Sequence, residues 1–251
     1  MCFDYDSHPP IAPIAGGALD SMPLILTAAD RNRFAAFRAR ATDPSGAGVV
    51  ILPDVRGLHP YYVALAERFA ETGAVTVAID YFGRTAGLCD ETGTRPEDFD
   101  FQTHIPQTTT AGIDADVTAA IEYLRGRTEA GLPVVTVGFC FGGSHSWRQS
   151  GGDLDLAGCA GFYGKPSVVG DAAQRAHRPT VMIIAGADRA TPVEDQLALA
   201  ETMRGGGAEV DAVVYDGAPH SFFDRAFGDW AEACADAWQH VLALTDRVAR
   251  R

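Results

Sequence analysis

The chain has 251 residues, 47% hydrophobic and 21% charged, with 27 glycines, 14 prolines and a formal net charge of −13 at pH 7. That composition excludes disordered, collagen-like and low-complexity classes, and the acidic balance argues against duplex nucleic acid and anionic membrane surfaces, which both require a cationic footprint. A chain this long buries roughly 70–75% of its unfolded surface and needs neither disulfide nor metal to fold.

In chain order, the first 20 residues carry early Asp and Pro and no basic stretch before an apolar core, so they read as an irregular segment and not a signal peptide. PLILTAA (23–29) and RFAAFRAR (33–40), separated by Asp30, Arg31 and Asn32, predict a β-hairpin. GVVILPD (48–54), VTVAID (75–80), PVVTVGF (133–139), LAGCAGFYG (156–164), PTVMIIAG (179–186) and EVDAVVYDG (209–217) are short apolar runs of the kind buried on both faces of a parallel sheet. Helical patterns alternate with them over 61–73, 108–127, 193–207 and 228–251. The stretch 83–107 has no clear period, and a long irregular excursion after a strand commonly forms a pocket wall. The order predicts an α/β fold in one domain over 1–251: a mostly parallel central sheet with helices on both faces and an N-terminal hairpin.

The cysteines, Cys2, Cys89, Cys140, Cys159 and Cys234, are odd in number and form no CxxC, which predicts free thiols and a cytoplasmic protein. No uncharged apolar run approaches the ~18 residues of a membrane span. No HxxxH, CxxC or carboxylate cluster suggests a metal. Gly46-Ala47-Gly48 precedes a strand instead of following one, so it is no dinucleotide fingerprint, and no cofactor is expected.

The segment VVTVGFCFGGSH carries the chemistry. A buried-type strand runs into Gly138-Phe139-Cys140-Phe141-Gly142 and then a helix, the G-x-nucleophile-x-G elbow with cysteine in the centre. The following helix N-terminus favours both thiolate and oxyanion. Asp188 lies just past the strand 179–186 and His220 just past the strand 209–217, so acid and base would both reach the carboxyl edge of the sheet, where open α/β sheets bind ligands. Cys159 and Cys234 fall mid-strand and mid-helix, and packing accounts for them. His145 and Trp147 read as packing behind the elbow, and His59 as a helix cap.

VILPDVRGLHP, AIDYFGRTAG, GFCFGGS, AGADRATP and GAPHSFFD occur in that order, and with them the chain resembles the dienelactone hydrolase family from about residue 47 to its C-terminus. The resemblance implies an α/β-hydrolase fold and a Cys140–Asp188–His220 triad. It places at Asp54 an acid that engages the resting thiol and switches its deprotonation, and gives the oxyanion N–H groups to Val55 and Phe141. It matches a substrate-carboxylate arginine to Arg84, beside Tyr81; Arg56 stands where an aromatic is common, and Asp224 where a second arginine is expected. The expected activity is cofactor-independent hydrolysis of a small ester or lactone, with Arg84 and Arg56 orienting an anionic or polar group, by a monomer or homodimer. Two rivals remain: a glutaminase-type amidase, although Phe222 stands where those enzymes carry an acid, and a binding or thiol-sensor protein on a hydrolase scaffold.

Overall fold

The computed structural model describes residues 6–14, 19–89, 93–126 and 131–250. Its elements alternate as the sequence predicts: β1 (Leu19–Thr27), β2 (Arg33–Ala41), β3 (Gly48–Leu52), α1 (Pro60–Glu71), β4 (Val75–Ile79), short α2 (Gly83–Ala86) and α3 (Phe101–His104), α4 (Thr110–Gly126), β5 (Val134–Phe139), α5 (Phe141–Gln149), β6 (Gly158–Phe162), short α6 (Pro166–Val169), β7 (Thr180–Ala185), α7 (Val193–Gly206), β8 (Val210–Tyr215) and α8 (Ala231–Ala249). They form one sheet in the order β1-β2-β4-β3-β5-β6-β7-β8. β1 and β2 pair antiparallel, β2 joins β4 antiparallel, and every later pairing is parallel. This is the α/β-hydrolase architecture. Arg31, at φ 70°, turns the hairpin, with Ala28 and Asn32 closing it by a backbone bond of 2.9 Å.

Side-chain alternation along the central strands divides the core in two. Val49 and Ile51 of β3 face a cluster with Leu65 and Phe69 of α1 and Trp238 and Val241 of α8. Val50 and Leu52 face the opposite cluster with Val117, Ile121 and Leu124 of α4. β7 repeats the split, with Val181 and Ile183 in the first cluster and Met182 and Ile184 in a third, against Leu199 and Met203 of α7. Every residue of β3 to β7 is buried, whereas β1 and β8 are only partly covered, as edge strands must be.

The stretch 83–107 is not wholly irregular: it holds α2, α3 and a 3-10 turn. Its anchor is an ion pair read by neither period nor turn chemistry, Arg95 on the fully buried Asp80 at 2.7 Å.

The elbow is packed so closely that side chains are excluded from its glycines. A Cβ at Gly142 would stand 2.1 Å from the Leu52 carbonyl oxygen and 2.4 Å from that of Pro53. The Gly142 N–H instead donates to the Pro53 carbonyl at 3.1 Å, which fixes the start of α5 against the end of β3. Backbone on backbone cannot yield, so Gly142→Ala should cost about 3 kcal/mol, or roughly 10 °C in melting temperature. Gly205→Ala, on α7 with open space around the added methyl, should gain up to about 1 kcal/mol. Thermal melts of the two variants check the contrast.

Candidate active site

Four side chains singled out in the sequence come off strand ends at one edge of the sheet: Asp54 after β3, Cys140 after β5, Asp188 after β7 and His220 after β8. Cys140 is the N-cap of α5, at φ 52° and ψ −106°, and is half-buried. Its N–H donates to the Phe162 carbonyl at 3.0 Å, and its carbonyl accepts from the Ser144 N–H at 3.0 Å and the Ser144 hydroxyl at 2.9 Å. Ser144 in turn accepts the Lys165 N–H at 2.8 Å, tying the elbow to the loop after β6.

Among the described residues four non-glycine positions have positive φ, and three of them surround this point: Cys140, Tyr163 (39°) and Ser221 (62°). Such conformations cost of order 1–3 kcal/mol each and persist only where surrounding contacts impose them. Tyr163 is a site residue that the sequence reading missed; it follows a buried strand just as Asp54 and Cys140 do. Its ring lies 4.9 Å from that of His220. Burial holds its hydroxyl well above the usual phenol range, and the nearby Tyr61, Asp54 and Cys140 add to the effect.

His220 Nδ1 donates to Asp188 Oδ2 at 2.7 Å, and the Asp188 side chain is completely buried. The second carboxylate oxygen accepts the Ala190 N–H at 2.8 Å. Burial pushes the Asp188 carboxyl up, but the His220 bond and the backbone N–H groups of Ala190 and Thr191 outweigh it and leave it below its ordinary value. An ionised carboxylate on Nδ1 leaves Nε2 as the nitrogen able to take a proton.

Asp54 stands at the predicted strand end, but its carboxylate is gripped by its neighbour. Arg56 Nε approaches Oδ1 at 3.1 Å and Oδ2 at 3.0 Å, Nη2 donates to Oδ2 at 2.8 Å, and the Arg56 N–H donates to Oδ1 at 2.8 Å. The guanidinium lies 5.2 Å from the Tyr61 ring centroid and 5.7 Å from that of Tyr62. Burial works against its charge, yet Asp54 and Tyr62 hold its pKa above the ordinary arginine value.

Each of the three side chains expected to contact substrate has protein partners in the structure. Arg56 is buried and committed to Asp54. Arg84 lies between Asp116, at 2.8 and 2.9 Å, and Asp30 of the hairpin turn, at 2.5 Å, so it ties the hairpin to α4. Tyr81 is buried, and its hydroxyl donates to the carbonyls of Pro53 and Asp54, bracing the loop that carries Val55. Asp224 is also buried and accepts from Ser7, from the His8 N–H at 3.1 Å and from the Ala226 N–H at 3.0 Å.

Two further histidines and two further thiols pack or cap. His59 caps α1, Nδ1 accepting the Tyr61 N–H at 3.1 Å, and burial and Arg56 push its pKa down to about 4. His145 lies buried edge-on to Phe141, and burial takes it to about 4 as well. Trp147 is buried, with its indole N–H on the Val181 carbonyl. Cys159 and Cys234 are buried, which pushes their thiols up to about 11 and about 12. Cys2 lies outside the described residues. Among those described, no group of three or more His, Cys, Asp or Glu side chains gathers as a metal set, and no helix is long and apolar enough to cross a membrane.

A strained cysteine elbow, with an acid–histidine pair after later strands of a mostly parallel sheet, sits on the α/β-hydrolase architecture. Within that class the chain belongs to the dienelactone hydrolase family, whose model matches residues 34–248. A Salmonella typhi protein named "Putative carboxymethylenebutenolidase" is 25% identical over 221 residues, covering 82% of this chain and 78% of its own. Two solved structures share the fold. A dienelactone hydrolase-like promiscuous phosphotriesterase from metagenomic libraries is 21% identical at a TM-score of 0.75, over 91% of this chain and 98% of its own. Brefeldin A esterase, a bacterial homologue of human hormone-sensitive lipase, is 16% identical at a TM-score of 0.68, over 98% of this chain and 81% of its own.

Proposed function

We propose that the chain hydrolyses a small ester or lactone through an acyl-enzyme on Cys140. The observation that carries this reading is the buried Asp188–His220 pair on the strand ends beyond a strained cysteine elbow. His220 Nε2 takes the thiol proton as Sγ attacks the acyl carbon. The N–H groups of Phe141, at the open first turn of α5, and of Val55, on the loop braced by Tyr81, receive the developing oxyanion. The imidazolium gives its proton to the leaving alkoxide, and the same nitrogen then takes a proton from the water that cleaves the thioester. Asp188 keeps its proton count unchanged and fixes the ring. With Arg56 and Arg84 both committed to carboxylates, the reading requires no carboxylate on the substrate.

The test is a panel of aryl esters and lactones, quenched in acid within the first turnover and analysed by intact mass and peptide mapping. The expected result is turnover together with one acyl adduct, located on Cys140 and released by hydroxylamine. Turnover that survives complete alkylation of Cys140 would remove the thiol from the mechanism. Stoichiometric adducts without turnover would favour the thiol-sensor reading.

A further inference from the structure

Ser7 and His8 lie against the site, although they fall outside the span that the family model matches. Ser7 is only 4% exposed, and its hydroxyl sits between opposite charges. It accepts from Arg56 Nη1 at 2.9 Å and donates to Asp224 Oδ2. The backbone on either side completes the join: the His8 N–H donates to Asp224 Oδ1 at 3.1 Å, and the His8 carbonyl accepts the Arg225 N–H at 2.9 Å. Further on, the Ile14 N–H donates to Glu71 at the end of α1, at 3.0 Å. Asp54, Arg56, Ser7 and Asp224 thus form one buried chain from the loop after β3 to the loop that carries His220.

We infer that Ser7 is a positioning residue: its hydroxyl holds Arg56 on Asp54, and through it the N-terminal segment sets the charge balance beside Cys140. Without that hydroxyl, Arg56 Nη1 loses an acceptor and Asp224 loses a donor, and both groups are buried. With the bridging hydroxyl gone, the guanidinium and the Asp224 carboxylate attract each other directly, and the guanidinium swings toward Asp224. Asp54 then keeps its negative charge with less of its counter-ion. The Asp54 loop is fixed against the elbow by the Gly142–Pro53 bond, so that charge acts on Cys140 and disfavours the thiolate. The other ionisable groups packed round the elbow are Tyr81 from the loop after β4, Tyr163 from the loop after β6, the Asp188–His220 pair and, on α5 itself, His145. None of these bonds to Ser7, whose hydroxyl acts on Arg56 and Asp224.

This inference rests on reading Cys140 as the reactive thiol, but its test needs no turnover. Iodoacetamide labelling of Cys140, followed by peptide mass spectrometry across pH, is compared in wild type, Ser7→Ala, Ser7→Thr, Asp54→Asn and the Ser7→Ala/Asp54→Asn double variant. Ser7→Ala should raise the labelling midpoint by roughly half a pH unit or more, and Ser7→Thr, which keeps the hydroxyl, should return it. Asp54→Asn leaves Arg56 unbalanced and should lower the midpoint. In that background Ser7→Ala should still raise the midpoint, because the guanidinium moves whether or not Asp54 is charged. Unchanged midpoints in Ser7→Ala, or a shift that Ser7→Thr does not return, would overturn the proposal. Thermal melts establish that each protein is folded at the assay temperature, and Ser7→Gly serves if Ser7→Ala is not. A merely structural role for the segment would lower the melting temperature and leave the labelling curve in place.

Discussion

Cys140→Ala is expected to abolish ester hydrolysis while the fold survives. Loss of the nucleophile from a triad of this kind costs about 10⁶ in kcat, with the residue due to oxyanion stabilisation and binding. The structure predicts little cost in stability. Cys140 is half-buried, its backbone bonds run through N–H and carbonyl to Phe162 and Ser144, and alanine keeps both. At φ 52° alanine is strained no more than cysteine is, so the melting temperature should move by no more than a few degrees. Activity and circular dichroism, measured on one preparation, check the two halves of the statement. Wild-type turnover by the variant would leave the elbow without its assigned role.

Asp188→Asn should lower kcat by about 10⁴. The carboxylate is fully buried and bonded to His220 Nδ1 at 2.7 Å, so the substitution keeps size and shape and changes only which groups donate. An amide can offer its N–H₂ to Nδ1, which moves the ring proton to Nε2, the nitrogen that must accept from the thiol. The sign of a pH effect follows from the depressed carboxyl. A group whose folded pKa lies below its ordinary value, here 3.8, contributes stability above that value and loses it as pH falls through the folded one. Wild type should therefore lose more stability than Asp188→Asn on acidification below about pH 4. Steady-state kinetics at neutral pH and melts between pH 3 and pH 7 test the pair. Near-normal kcat in Asp188→Asn would transfer the acid role to Asp195 or Asp216, but both are exposed, and neither has the buried contact with His220 that Asp188 has.

The amino-acid sequence by itself determined what depends on local pattern. The apolar runs of β3 to β8, the hairpin around Arg31 and the helices between strands follow from period and turn chemistry. So does the order Cys140, Asp188, His220, because each follows a strand in a parallel sheet and must reach the same edge. The likeness of those motifs to a known family was legible for the same reason. Only the tertiary structure decided who partners whom. Arg84 and Arg56 look alike in the sequence, as cations beside a strand end, yet one joins the hairpin turn to α4 and the other clamps Asp54. Tyr81 reads as a pocket residue and is a brace for the loop after β3. Ser7 and Asp224 are 217 residues apart in the chain and share a hydrogen bond. Such pairings depend on strand order, which places β3 between β4 and β5 and carries the N-terminal segment to the loop after β8. A short polar side chain has no period to announce it, and the buried charge that fixes its role comes from a loop at the other end of the chain.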